Sequence, residues 1–272
     1  MAVSGALPVV DLAPFLTGGD DGGIASVTEA VREACRTHGF FRAVNHGRPS
    51  QPAGYGRQPA HSADKNEYPA EPAGLRETVE ECHGKLTELG LLIQGILNEC
   101  MGLPPGSLSD YNNDRSFDHM TAKRYFPATA EDENIGFSEH EDGNCVTFIF
   151  QDSVGGLEVL RDGHWVPAEP VDGTRQHHRQ HRRCHAVLSN SKLKSATHRV
   201  VRKPAHRHSF AFFFNLHCDK WVEPLPEFTP KIGEAPRYRR FLYREYQQLR
   251  VRNKTHPPER PEDVIRITHY AI

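Results

Sequence analysis

Phe137-Ser138-Glu139-His140-Glu141-Asp142-Gly143-Asn144 is the stretch on which the reading of this chain turns. On an extended strand alternate side chains share a face, so His140 and Asp142 project together. An imidazole and a carboxylate on one face can hold one metal ion. A third ligand has to come from elsewhere in the chain, and His198 is the candidate. Two histidines and one carboxylate form the facial set that suits non-haem Fe(II) and leaves positions open for substrate and oxygen. By itself His-x-Asp is also what any polar surface strand offers, so its setting decides.

The setting is a run of strands. Cys145 to Phe150 is β-branched and aromatic. Gly155 to Leu160 and His164 to Val166 flank Asp162-Gly163, the pattern of a tight hairpin. Ala196 to Val201 and Phe210 to Leu216 are two further strands. Short strands separated by turn signals predict a sandwich, barrel or jelly roll. Just before Phe210 stands Arg207-His208-Ser209, whose first and third residues again share a face. A guanidinium gives a carboxylate two parallel charge-assisted bonds, and a hydroxyl beside it adds a third. An iron site followed by a carboxylate clamp is what a 2-oxo acid cosubstrate needs. His206 and His208, flanking Arg207, are expected to face away, and His46 and His217 to be structural or surface residues.

Upstream, Pro8 to Leu12 reads as a short strand. Gly18 to Gly23 reads as a turn, with Ser26 as N-cap of a helix carrying Val27, Ala30, Val31 and Ala34. Phe40 to Asn45 is strand-like. Arg48 to Gly74 shows no period and reads as loop. Val79, Cys82, Leu86, Leu89, Ile93, Ile96 and Cys100 step by three and four, which predicts a long helix with an apolar stripe. Arg237 to Arg252 predicts a charged C-terminal helix. The expected division is an N-terminal support region (1–118), a jelly-roll domain (119–218) and a helical extension (219–272).

Composition excludes several classes. A net charge of -2 gives no global basic footprint for nucleic acid. No stretch reaches the ~18 apolar residues of a membrane span, and Met1 to Val10 lacks the marks of a signal peptide. The six cysteines are scattered without a CxxC pair, which fits a reducing, cytoplasmic compartment.

The sequence resembles the plant-type Fe(II)/2-oxoglutarate-dependent dioxygenases, whose fold is the isopenicillin N synthase-like jelly roll. The resemblance runs over most of the chain. It rests on Pro8 to Leu12, His38-Gly39-Phe40-Phe41, Asn45-His46-Gly47, Arg124 to Pro127, His140-Glu141-Asp142, Thr147 to Asp152 and Val154 to Val159. It continues through Gly163 to Val166, Val187 to Asn190, Lys194 to Val200 and Arg207 to Phe213. It implies a mainly β fold with flanking helices and a double-stranded β-helix core. It implies His140, Asp142 and His198 as iron ligands, and Arg207 with Ser209 as the clamp for the C5 carboxylate of 2-oxoglutarate. The cofactors implied are Fe(II), 2-oxoglutarate and O2, with ascorbate as a reductant. The implied reaction oxidises a small organic metabolite, such as those of plant secondary metabolism, and releases succinate and CO2, with no nucleic-acid or membrane partner. In many relatives an Asn-x-Tyr pair also assists the cosubstrate; here those positions read as Arg124 and Phe126.

Two departures stand out. The region between Gly47 and Pro52, and that between Tyr68 and Pro69, is shorter than the family pattern. Between Thr174 and Val187 the family has an apolar strand, whereas this chain has Arg175 to Ala186, with four Arg and four His. His178 to Ala186 can be written in codons that, moved on by one base, spell Ile-Val-Asn-Ile-Gly-Asp-Val-Met, the strand expected there. A local frameshift is the reading this suggests. Burying unpaired charge costs several kcal/mol per group, so residues 175–186 are expected to leave the sheet and loop out, or to leave the protein poorly stable, misassembled or inactive.

Overall fold

Val9–Asp11 (β1), Ala13–Leu16 (α1), Asp21–Thr37 (α2) and Phe40–Val44 (β2) open the computed structural model. It describes residues 7–46, 68, 72–130, 134–169, 177–181, 183–256, 258–260 and 263–272. Leu75–Cys100 (α3) and Ser107–Tyr111 (α4) follow. Then come the strands His119–Tyr125 (β3), Ile135–His140 (β4), Val146–Gln151 (β5), Leu157–Arg161 (β6), His164–Pro167 (β7) and His177–His181 (β8). Arg183–Leu188 (α5), His198–Val201 (β9), Arg207–Phe214 (β10), Trp221–Val222 (β11), Phe241–Leu242 (β12) and Tyr243–Thr255 (α6) complete the order.

Six strands form one sheet, β1-β2-β8-β5-β10-β3, and four form a second, β4-β9-β6-β7. Period-two alternation decides what lies between them. On the inner face of the large sheet, Phe40, Ile149, Ala211 and Tyr125 meet Leu157, Val159, Val200 and Phe137 of the small one. On the outer face, Phe41, Phe148, Phe212 and Phe214 pack into the core under α2 and α3. Two sheets face to face, with helices covering the back of one, is the jelly roll expected. The helix α3 comes so close to β10 that a Cβ on Gly90 would lie 2.2 Å from a ring carbon of Phe214. The Asp162-Gly163 turn has φ of 47° and 80° at its two central residues, the left-handed pair that joins β6 to β7.

Three expectations are corrected. The helix α2 starts at Asp21, not after Ser26, because the Asp20 carboxylate accepts the Gly23 N–H at 2.8 Å and caps it earlier. The C-terminal helix starts at Tyr243, since Arg237 to Leu242 is held extended. The Arg237 N–H donates to Asn190 Oδ1 and the Arg239 N–H to the Tyr270 carbonyl, while Phe241–Leu242 pairs with Trp221–Val222. The third is the altered segment. His177–His181 does not loop out; it is the strand β8, paired with β2 on one side and β5 on the other. Each buried backbone N–H or C=O that lost its partner would cost about 1–3 kcal/mol, and a looped-out segment would strip two neighbouring strands at once. Most of the Arg48 to Gly74 loop, and both shortened regions, lie outside the described residues.

After β8 the chain enters α5, where Cys184 and His185 are buried. His185 Nδ1 donates to the Cys145 carbonyl at 3.0 Å, and burial pushes the ring's pKa down to about 4. A histidine held neutral in the fold takes its proton more readily once unfolded. Its contribution is therefore intact above about pH 6.5 and is lost as pH falls toward 4, up to about 3 kcal/mol. Urea denaturation between pH 7.5 and 4.5 is expected to show stability falling with pH, and His185→Gln to flatten that slope. An unchanged slope would assign the acid sensitivity to other groups. Among the described residues no helix is long and apolar enough to cross a membrane.

Candidate metal centre and cosubstrate pocket

The strand β4 ends at His140, and the chain turns through Asp142 before β5 begins. The strand β9 starts at His198, directly opposite His140 in the antiparallel pairing. That register brings the two imidazoles together, with ring centroids 4.1 Å apart. One ligand atom from each of His140, Asp142 and His198 can be chosen so that all lie within 4.8 Å of one another. Asp142 and His198 are buried and His140 is partly exposed.

The hydrogen bonds behind these groups set their chemistry. His140 Nδ1 lies 2.8 Å from the Ser138 carbonyl and His198 Nδ1 lies 3.3 Å from the Ala196 carbonyl. A carbonyl only accepts, so each Nδ1 carries a proton, and each ring turns Nε2 inward. His140 Nε2 then faces Asp142 Oδ1 at 3.3 Å. A nitrogen and a carboxylate oxygen at that distance fit together with a cation or a proton between them. The donor set, two imidazoles and a carboxylate, fits Fe(II).

A cavity of about 230 Å³ runs from this cluster to Arg207 and Ser209, between the two sheets. Arg207 is only 1% exposed. Its Nε donates to the Gly155 carbonyl and its Nη2 to Gln151 Oε1 at 3.0 Å, with the guanidinium 4.8 Å from the Tyr125 ring centre. Burial lowers the pKa of this arginine, and burial raises that of Tyr125 against the opposing pull of the cation. Arg207 Nη1 is buried and has no acceptor among the described residues. Native structures rarely leave such a donor unused, so a carboxylate at this end of the cavity fits the residues present.

The register of β3 corrects one expectation. Arg207 pairs with Tyr125 and Ser209 with Lys123. Residues directly opposite on paired strands share a face, so Lys123 and Tyr125 line the cavity beside the clamp. Arg124 and Phe126 belong to the other face. Phe126 is 62% exposed, and Arg124 Nη2 meets His206 Nε2 at 3.3 Å. The positions that match Asn-x-Tyr by motif, Arg124 and Phe126, therefore do not stand beside the clamp, and Lys123 and Tyr125 do, since a one-residue slip changes every facing. The strand's own alternation puts His119, Thr121, Lys123 and Tyr125 on one face but does not say which face meets the cavity. His206 and His208 are exposed, as expected, and His208 lies 3.4 Å from Asp152. His217 packs edge-on against Phe117, and His46 is buried. Sequence reasoning gave no role to Arg250 of α6, which also lines the cavity.

Comparison with known proteins agrees with this geometry. Residues 117–216 match the family described as the 2OG-Fe(II) oxygenase superfamily, and residues 7–53 match the family described as non-haem dioxygenase in morphine synthesis N-terminal. Together the two cover more than half of the chain. The chain is 27% identical to 2-oxoglutarate-dependent dioxygenase 19 of Oryza sativa, over 98% of this chain and 92% of that protein. That alignment runs to 316 positions, more than the chain's 272 residues, so the chain carries deletions relative to it. It is 32% identical to protein DMR6-LIKE OXYGENASE 2 of Arabidopsis thaliana, over 66% of this chain and 52% of that protein. Among solved structures, JOX2 in complex with 2OG, Fe and JA superposes with a TM-score of 0.79 at 24% identity, covering 98% of this chain and 89% of that one. The dioxygenase for auxin oxidation in rice superposes with a TM-score of 0.76 at 23% identity, covering 98% of this chain and all of that one. The fold, the metal-ligand geometry and the two family matches agree, and the chain belongs to the plant-type Fe(II)- and 2-oxoglutarate-dependent dioxygenases.

Proposed function

We propose that this protein is a dioxygenase that oxidises a small organic metabolite and converts 2-oxoglutarate to succinate and CO2. The observation that carries the reading is one cavity with three convergent metal ligands at one end and, at the other, a buried guanidinium N–H that has no acceptor among the described residues. His140, Asp142 and His198 hold the metal. Arg207 and Ser209 bind the C5 carboxylate of the cosubstrate, with Tyr125 walling the same end. Bound Fe(II) supplies the oxidative chemistry with O2, and the side chains supply orientation and a dry wall. Ser138 and Ala196 orient the imidazoles through their carbonyls. Phe137, edge-on to His140 with ring centres 4.5 Å apart, keeps water from one side of the metal cluster. The function divides as 1–118 support, 119–218 catalytic jelly roll and 219–272 helical extension. These are divisions of labour within one body, because β1 and β2 of the first belong to the same sheet as β10 of the second. The site of action is the cytoplasm.

The relatives' names point to small acids and phenolics as the range of substrates, among them jasmonate- and auxin-related compounds and flavones. The test is succinate release by purified protein with Fe(II), 2-oxoglutarate, O2 and a panel of such compounds. Turnover above background is expected, with a complete loss in His198→Ala. Wild-type protein that binds iron and 2-oxoglutarate but releases no succinate would instead make the chain a binding jelly roll.

A further inference from the structure

Strand pairing places His140 and His198 but not Asp142. The strand β4 ends at His140, opposite His198 of β9, whereas Asp142 lies in the turn that leads to β5. Contacts from β5, α5 and α6 hold this turn. Asn144 Nδ2 donates to the Val146 carbonyl at 2.6 Å and to Thr147 Oγ1 at 2.7 Å, and Thr147 Oγ1 lies 3.5 Å from Asp142 Oδ2. The Cys184 thiol of α5 donates to the Gly143 carbonyl at 3.2 Å. From α6, Arg250 Nη2 donates to the Glu141 carbonyl at 3.3 Å, and the same nitrogen lies 3.9 Å from Asp142 Oδ1. Gly143 makes room for this arginine, because a Cβ there would lie 2.5 Å from Nη1.

Arg250 is itself held. A long side chain loses much rotamer freedom when it is fixed, so a guanidinium that clips a backbone carbonyl needs support. Tyr243, Gln247 and Arg250 stand at i, i+4 and i+7, along one side of α6. Arg250 Nη1 donates to Gln247 Oε1 at 3.1 Å. Gln247 Nε2 donates to the Tyr243 hydroxyl, which donates in turn to Asn215 Oδ1 at 2.9 Å. Asn215 Nδ2 donates to the Phe117 carbonyl at 2.8 Å, and the Asn215 N–H donates to Asp118 Oδ1 at 2.8 Å. Tyr243 and Asn215 are buried. The bonds run with one polarity. With Oε1 taken by Arg250, Nε2 faces the phenol oxygen, and the phenol hydrogen turns to Asn215. The far end of the brace lies where β10 ends and β3 begins, on the large sheet.

We propose that Gln247 is a positioning residue of the metal centre. Braced by Tyr243 and Asn215, it fixes the guanidinium of Arg250, which clips the turn at Glu141 and so presents the Asp142 carboxylate in one orientation. The inference rests on the reading of His140, Asp142 and His198 as metal ligands. Groups that orient a ligand from behind set metal affinity without touching the metal. Two rival roles lead elsewhere. A guanidinium acting through charge alone repels a cation held by Asp142, and its removal then tightens metal binding. A glutamine that only packs α6 changes stability and leaves the metal site as it was.

The experiment uses full-length protein. Mn(II) is titrated without cosubstrate, read by the electron paramagnetic resonance of the free ion, and Co(II) is added separately for its visible absorption, whose bands follow the ligand arrangement. Methionine is close to glutamine in volume and makes neither of its hydrogen bonds. Q247M is expected to weaken Mn(II) binding at least about 10-fold and to shift the Co(II) bands, while Q248M, on the exposed side of α6, stays within about 2-fold of wild type. Q247E keeps an acceptor for Arg250 and is expected to recover most of the affinity. Y243F and R250M are expected to weaken Mn(II) binding too, and they carry the decision if Q247M does not fold. A folded Q247M with wild-type Mn(II) affinity and unshifted Co(II) bands overturns the proposal, even if its melting temperature falls. Tighter binding by R250M overturns it in favour of charge. A wild type that binds no Mn(II), or an H198A variant that binds it as wild type does, counts against the metal reading itself rather than against the brace.

Discussion

Arg207→Gln is expected to raise the dissociation constant for 2-oxoglutarate by about 100-fold or more while leaving Mn(II) affinity within about 3-fold. The guanidinium is buried, and the Gly155 carbonyl and Gln151 fix its orientation. Gly156, at φ +97°, lets the backbone of Val201 approach so closely that a Cβ there would lie 2.4 Å from its carbonyl oxygen, with Arg207 Cδ at 3.6 Å. The clamp is thus rigid before the ligand arrives, and little ordering has to be done on binding. Removing one partner of a desolvated charge pair costs about 2–5 kcal/mol, which converts to roughly 30- to 4,000-fold. The metal ligands lie at the other end of the cavity, so their affinity for metal should hold. A cosubstrate analogue without the far carboxylate, 2-oxobutyrate, supplies the control. It should bind wild type far more weakly than 2-oxoglutarate does, and the two should bind Arg207→Gln about equally. If the variant still prefers 2-oxoglutarate by the wild-type factor, the far carboxylate is held elsewhere, with Lys123 the next group to change.

Much of this site was legible because its parts are local. Arg207-x-Ser209 places two groups on one face of β10, as strand periodicity says; the same periodicity pointed to His140-x-Asp142, although β4 ends at His140 and Asp142 lies in the turn beyond it. The Asp162-Gly163 hairpin and the stripe of α3 are legible for the same reason. What was missed depends on register and on distance along the chain. Lys123 and Tyr125 could be told from Arg124 and Phe126 only by knowing which face of β3 meets β10, and a one-residue slip exchanges the pairs. Arg250 lies on a helix that reads as a charged surface element, and nothing local says that α6 folds back over Gly143. The start of α2 was missed because Asp20 caps it from within a stretch that glycine content marks as a turn. The strand β8 was missed for a different reason. Its side-chain composition argues against a strand, but its place is decided by the backbone edges of β2 and β5, which no pattern within residues 175–186 reveals.

That last conflict carries the second large effect. Replacing His178, Arg179 and His181 together by Ile, Val and Ile is expected to stabilise the protein by at least ~3 kcal/mol. Position 179 pairs with Phe41 and Phe148, position 178 with Arg42 and Ile149, and position 181 with Val146. Of these neighbours, Phe41, Phe148, Ile149 and Val146 are all buried. A strand with partners on both sides, inside a sheet covered on both faces, favours β-branched apolar residues. Fully burying one such side chain contributes about 1.5–3 kcal/mol, a value best treated as an upper estimate. A gain of 3 kcal/mol moves the melting temperature by roughly 6–12 °C in a domain of this size. His164→Ile on β7, where the side chain is exposed, is the control, expected to change stability by less than ~0.5 kcal/mol. The three replacements are also what the one-base-shifted reading places at those positions, so a stabilised variant and a transcript whose codons shift into Ile-Val-Asn-Ile would agree on the strand's origin. If the triple variant melts at or below wild type, the polar residues of β8 are well satisfied where they are, and the segment is a working strand in its own right rather than a displaced one.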